Sequence, residues 1–167
     1  MIRTEDAKKI MDALEEAHVK VVIFLPESRL KPLYSMLLED KRFEVITVPN
    51  ESTGVCIAAG SWIGGKRSVM IMENSGVRVA CEALARIGLE RQIPVFILMA
   101  YRGDFGEENW WGVNHGITME PVLQALRIPY KIVRHSEELK PAIHNAVLHA
   151  ETSMYHTAVV VGRDVIL

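Results

Sequence analysis

The amino-acid sequence predicts an α/β domain built as a doubly wound parallel sheet with helices on both faces. Two observations carry the expectation. Short apolar runs rich in β-branched residues recur along the chain, and segments with helical spacing separate them almost without a break. Most of these runs are apolar throughout, as strands covered on both faces are. Right-handed crossovers between such strands then wind the sheet in both directions.

The elements follow in order. Thr4 to His18 has helical spacing, with Ile10, Met11 and Leu14 on one side and Thr4 as a suitable N-cap. Val21 to Pro26 is the first strand. Helical spacing returns over Ser28 to Asp40, and Phe43 to Val48 is the second strand. Glu51 to Ile63 is a helix with small residues, ending near the Gly64-Gly65 pair. Ser68 to Met72 is a strand, Val77 to Leu89 a helix, and Pro94 to Ala100 a strand. Tyr101 to Gly116 reads as a long polar and aromatic loop. A helix over Ile117 to Leu126, a strand over Tyr130 to Val133 and a helix over Ser136 to Glu151 follow. The run His156 to Gly162 is the last strand. No repeat, low-complexity tract or linker interrupts the pattern, so residues 1–167 read as one domain.

Composition narrows the function. Hydrophobic residues make up 49% and charged residues 24%, ordinary for a soluble globular chain. A net charge of −2 gives no basic surplus for nucleic-acid phosphates. No apolar stretch reaches the ~20 residues that span a bilayer, and the charged first helix is no signal peptide. A cytoplasmic location is the expectation. Cys56 and Cys81 lie in apolar helical patterns and read as buried, reduced thiols. His18, His135, His144, His149 and His156 lack metal-ligand spacing and read as surface or edge residues; no metal site is expected. No Walker motif, Gly-x-Gly-x-x-Gly or nucleophile elbow is present.

Ligands gather at the carboxyl ends of parallel strands. Four segments fall there: Pro26-Glu27-Ser28, Pro49-Asn50-Glu51-Ser52, Glu73-Asn74-Ser75-Gly76, and the segment opening Tyr101-Arg102-Gly103-Asp104. Acidic and small polar residues also cap helices, so each alone has an ordinary explanation. The set says more. Pro49-Asn50-Glu51 leads into a helix whose small residues admit close approach by a backbone, a second subunit or a cofactor.

The segment VPNESTGVCIAAGSWIGGKRSVMIMENSGVRVACEALARI resembles the α subunit of sulfopyruvate decarboxylase and the matching domain of phosphonopyruvate decarboxylase. FLPESRLKPLYSML, MAYRGDFGE and MEPVLQALRIPY extend the similarity over about Val21 to Tyr130. The resemblance implies a thiamine-diphosphate-binding fold of the pyrimidine-binding (Pyr) type and a decarboxylase of small anionic 2-oxo acids. Glu51 falls on the glutamate that such enzymes set against N1′ of the aminopyrimidine ring, where a shared proton favours the imino tautomer. Pro26, Asn74, Ser75 and Gly76 are then expected around the cofactor. Glu27, Ser28, Glu73, Arg102 and His115 are expected around the substrate.

The family's diphosphate and Mg2+ motif, Gly-Asp-Gly followed about 30 residues later by Asn, has no counterpart here. Gly103-Asp104-Phe105 lacks the second Gly, and Tyr130 to Arg134 contains no Asn. The resemblance therefore implies a separate β subunit that carries the diphosphate (PP) domain and, with it, Mg2+. A homodimer or larger heteromer would result, with sites between chains and no activity without the partner. A carboligase subunit and a non-catalytic scaffold subunit stand as alternatives.

Glu73 departs from the family's Gln-Asn-Ser-Gly element; it either works as an acid/base group or pairs with Arg78 or another cation. Arg102 either holds an acidic substrate group or pairs with Asp104 or Glu107. The Trp110-Trp111 pair, in an otherwise polar segment, reads as an interface or pocket element.

Overall fold

The computed structural model describes residues 1–166. Its order is α1 (Thr4–Glu16), β1 (Val21–Phe24), α2 (Lys31–Glu39), β2 (Glu44–Thr47), α3 (Glu51–Ile63) and β3 (Ser68–Glu73). Two helical turns follow, α4 (Gly76–Val79) and α5 (Cys81–Leu84), running into a π-helical stretch over Ala85–Glu90. The chain continues through β4 (Phe96–Ala100), α6 (Trp110–Ala125), β5 (Tyr130–Val133), α7 (Leu139–Ser153) and β6 (Thr157–Val161).

The six strands form one all-parallel sheet in the order β2-β1-β3-β4-β6-β5. Alternate strand side chains feed two cores. Val22, Phe24, Ile71, Leu98 and Val159 meet α1, α2 and α7 on one face. Ile23, Met70, Met72, Ile97 and Val160 meet α3, α4 and α6 on the other. Both faces being covered explains the apolar runs. Strand order reverses at β1, whose following helix α2 lies on the first face, while α4 after β3 lies on the second. The crevice between the carboxyl ends of β1 and β3 is therefore the topological switch point.

Several expectations are corrected. Arg3, in extended conformation, occupies the N-cap position of α1 and Thr4 is its first residue. Cys56 is exposed and Cys81 only half-buried. His156 is fully buried: its Nδ1 accepts from the Val95 N–H at 3.0 Å, so its Nε2 carries the proton and donates to the Leu84 carbonyl at 3.0 Å. That side-chain bond to Leu84 coincides with the switch to π spacing. Gly88 supplies the clearance, since a β-carbon there would lie 2.6 Å from His156 Nε2.

The largest correction concerns residues 101–116, expected as one loop. Helix α6 starts at Trp110, seven residues before the expected Ile117. Gly112 and Gly116, one turn apart, clear a path for the loop after β4. A β-carbon on Gly116 would overlap the Gly103 carbonyl, and one on Gly103, at φ +81°, would meet the Gly112 carbonyl at 2.3 Å. The glycines that break the apolar period are what let the backbone pack there.

Candidate functional site

Residues at the carboxyl edge of β1, β2, β3 and β4 converge on the switch-point crevice. Asn50 caps α3, its side chain accepting from the Thr53 N–H at 2.9 Å, and this sets Glu51 as the first helical residue. Glu51 is 8% exposed. Ser52 Oγ bonds the Val79 carbonyl, but the Glu51 carboxylate takes part in none of the hydrogen bonds or ion pairs among the described residues. Against it lies Gly76, the first residue of α4, and a side chain larger than hydrogen there would strike Glu51. Having no internal partner among the described residues, this carboxylate is available to a ligand that shares a proton with it.

The segment after β3 divides its labour. Asn74 is fully buried and its amide is spent within the chain. It donates to the carbonyls of Arg102 at 2.8 Å and His115 at 3.2 Å, and accepts from the Arg102 N–H at 2.8 Å. It ties the β3 loop to the β4 loop and to α6. Glu73 Oε2 accepts from Arg102 Nε at 2.7 Å. Its Oε1 meets His115 Nδ1 at 3.1 Å and accepts from Ser75 Oγ at 3.0 Å. Of the readings open for Glu73, pairing with a cation is thus realised, with Arg102 and not Arg78.

Arg102 spans the crevice. Its Nη2 donates to Ser28 Oγ at 3.2 Å, and its guanidinium carbon lies 4.6 Å from the centroid of the Trp111 ring. Trp111 also meets His115 edge-on, with centroids 6.1 Å apart. So Trp111 belongs to the site as the wall of the Arg102–His115 pair, while Trp110 is 86% exposed. The expected alternatives for Arg102 are taken by others: Asp104 pairs with Arg134 and Glu107 with Arg29. Burial raises the Asp104 carboxyl, yet bonds from Arg134 and from the Arg163 and Phe105 N–H groups outweigh it and hold the group below its ordinary range. This carboxylate is consumed in the fold.

On the β1 side, Glu27 caps the approach to α2 by accepting from the N–H groups of Arg29 at 2.7 Å and Leu30 at 2.5 Å. Burial, helped by the nearby charge of Glu73, nevertheless pushes its carboxyl above the ordinary range. Pro26, Glu27, Ser28 and Thr47 line a cleft of about 420 Å³ together with Tyr34. The Tyr34 hydroxyl is buried without a hydrogen-bond partner among the described residues.

All ten expected site residues thus lie along one edge of the sheet, on the segments after β1, β2 and β3, at the start of α4, and on the β4 loop and α6. Sequence reasoning read the Trp110-Trp111 pair as an interface or pocket element but did not single out Trp111 as the ring beside Arg102 and His115. Its signal was available: Trp111 and His115 are four residues apart, one turn of a helix.

The chain is similar to known proteins over most of its length. Residues 5–104 match the model of the family described as thiamine pyrophosphate enzyme, N-terminal TPP binding domain. The chain is 26% identical over 140 residues to the sulfopyruvate decarboxylase subunit alpha of Methanococcus maripaludis, covering 84% of each chain. It is 27% identical over 146 residues to the protein of the same name from Methanocaldococcus jannaschii, covering 87% of this chain and 84% of that one. Phosphonopyruvate decarboxylase of Streptomyces hygroscopicus is 30% identical over 103 residues, 62% of this chain and 26% of that one.

Proposed function

We propose, from the premise that this chain belongs to the N-terminal TPP-binding-domain family of thiamine pyrophosphate enzymes, that it is the α subunit of a heteromeric decarboxylase of small anionic 2-oxo acids. Sulfopyruvate-like and phosphonopyruvate-like acids are the substrates the relatives' names suggest. A second chain would supply the diphosphate and Mg2+ ligands. The relatives named as subunit alpha support that division.

The observation that carries the reading is Glu51: a buried residue whose carboxylate has no partner among the described residues, held against Gly76 beside the switch point. It suits a group that must share a proton with N1′ of an aminopyrimidine. Thiamine diphosphate, when bound, supplies the electron sink for the pair left by departing CO2. This chain's residues do the rest. Glu51 holds the N1′ proton, and Gly76 leaves space beside it. Asn74 fixes the β4 loop and α6 at one separation, Arg102 presents a cation to the acid, and Glu73 keeps His115 oriented through Nδ1.

The test is reconstitution. Purified chain, a partner chain bearing the diphosphate motif, thiamine diphosphate and Mg2+ are mixed, and CO2 release is followed from sulfopyruvate and phosphonopyruvate. Activity that needs both chains and collapses in Glu51→Gln, with the variant still folded, supports the proposal. A folded, cofactor-loaded complex that releases no CO2 from either acid rejects it.

A further inference from the structure

Beside the Glu73–Arg102–His115 cluster, between the loops after β1 and β4, lies a cavity of about 360 Å³. Its lining includes four cations, Arg29, Lys31, Arg102 and Arg163, against two carboxylates, Glu107 and Glu108, with Glu73 behind Arg102 as a third. The carboxylates do not cancel the cations evenly. The Glu107 side chain is only 4% exposed and is spent on Arg29 and on the N–H groups of Gly103 and Asn109. Glu108 holds Arg163 at 2.8 Å from a side chain 83% exposed, a pairing that water screens. Lys31 enters no ion pair among the described residues. On a chain of net charge −2 this is a local positive surplus in a concave place.

We propose that this cavity is the subsite for the charged tail of the substrate, a tetrahedral group with three terminal oxygens carried beside the 2-oxo carbon. Guanidinium forks and an ammonium suit such a group, because several N–H donors reach several oxygens at once. Lys31 supplies the uncommitted charge, and Arg163 a guanidinium whose carboxylate partner, Glu108, stands in water. Arg102 joins the subsite to the cluster around Glu73, so a substrate seated by its tail presents its other end at the switch-point crevice. Sulfonate and phosphonate share this chemistry. The assignment of the ligand as substrate rests on the decarboxylase reading; the binding of an oxyanion does not.

The experiment has two arms. Inorganic sulfate and inorganic phosphate are titrated separately into the full chain by NMR, as wild type and as Lys31→Gln/Arg163→Gln. Shifts centred on residues 28–31, 102, 107–109 and 163 are expected, with affinity weakened about tenfold in the double variant. The anion bound more tightly identifies the tail. In the reconstituted complex the same variant should raise KM for the tailed acid about tenfold at unchanged kcat, leaving pyruvate unaffected. Oxyanion shifts elsewhere, or a tailed-acid KM the double variant does not move, overturns the subsite even while CO2 release upholds the decarboxylase. Localised oxyanion binding without CO2 release from any acid upholds the anion site and removes the decarboxylase reading instead.

Discussion

A β-carbon on Gly76 would stand 2.6 Å from Cγ of Glu51 and 2.7 Å from its Oε1. Helices α3 and α4 begin on different strands, yet the first residue of each touches the first residue of the other. The absence of a side chain at Gly76 is thus a condition on where the Glu51 carboxylate can lie.

Gly76→Ala is accordingly expected to lower turnover of the reconstituted enzyme about 100-fold, the scale of a misplacement near 1 Å. The same β-carbon would meet Met72 Sδ at 2.7 Å, so some stability is lost as well. A double-mutant cycle separates the two effects. If Gly76 acts through Glu51, Gly76→Ala should cost almost nothing further in turnover on a Glu51→Gln background.

Glu73 is the carboxylate between a guanidinium and an imidazole, with its side chain 16% exposed and that of Arg102 only 8%. Glu73→Ala strands the arginine in a largely desolvated place and should cost about 3 kcal/mol, measured by urea unfolding. Glu73→Gln can still accept from Arg102 Nε and should lose clearly less. Equal losses in the two variants would mean that shape, and not the acceptor oxygen, is what Arg102 needs.

His156 makes stability depend on pH. Burial lowers its pKa in the folded chain, against the opposing pull of the Leu84 carbonyl. Near pH 6.5 and below, the unfolded chain then binds more protons than the folded one, so stability rises with pH and falls on acidification. The urea midpoint should drop between pH 7.5 and 5.5, and His156→Gln should flatten that drop. Glu107, held at about 2 by N–H groups despite its burial, contributes in a separate window, lost only as pH falls below the usual carboxylate range.

The two glycines of α3 should respond oppositely to alanine. Gly60 has open space where a β-carbon would go, so Gly60→Ala should stabilise the isolated chain by roughly 1 kcal/mol through helix propensity alone. A β-carbon on Gly54 would lie 2.3 Å from Met70 Sδ in the sheet, and Gly54→Ala should destabilise by ~1–3 kcal/mol. Thermal melts of the two variants decide it. Part of the small-residue character of α3 thus serves the chain's own core.

Much of the fold was readable because burial imposes a period. Runs such as Val21–Phe24 and Phe96–Ala100, buried at every position, can only be interior strands of a sheet covered on both sides. Helix α6 was not readable at its start, because residues 110–116 hold their place through glycine contacts with the β4 loop, and such contacts leave no apolar stripe. His156 was misread for a related reason. A histidine among polar neighbours resembles an edge residue until the backbone donors and acceptors that enclose it are known.

The sequence by itself determined the strand and helix alternation, the four loops at the strand ends and the residues they carry, because hydrophobic periodicity and helix-start chemistry are local. Only the tertiary structure decided which of those residues meet. The order β2-β1-β3-β4 sets the β3 loop between the loops of β1 and β4. That adjacency gives Glu73 to Arg102 and His115, 29 and 42 residues away, instead of to nearby Arg78. Charge pairs across a sheet edge have no sequence period; they follow from how the crossovers pack, and so does the cation-lined cavity beside them.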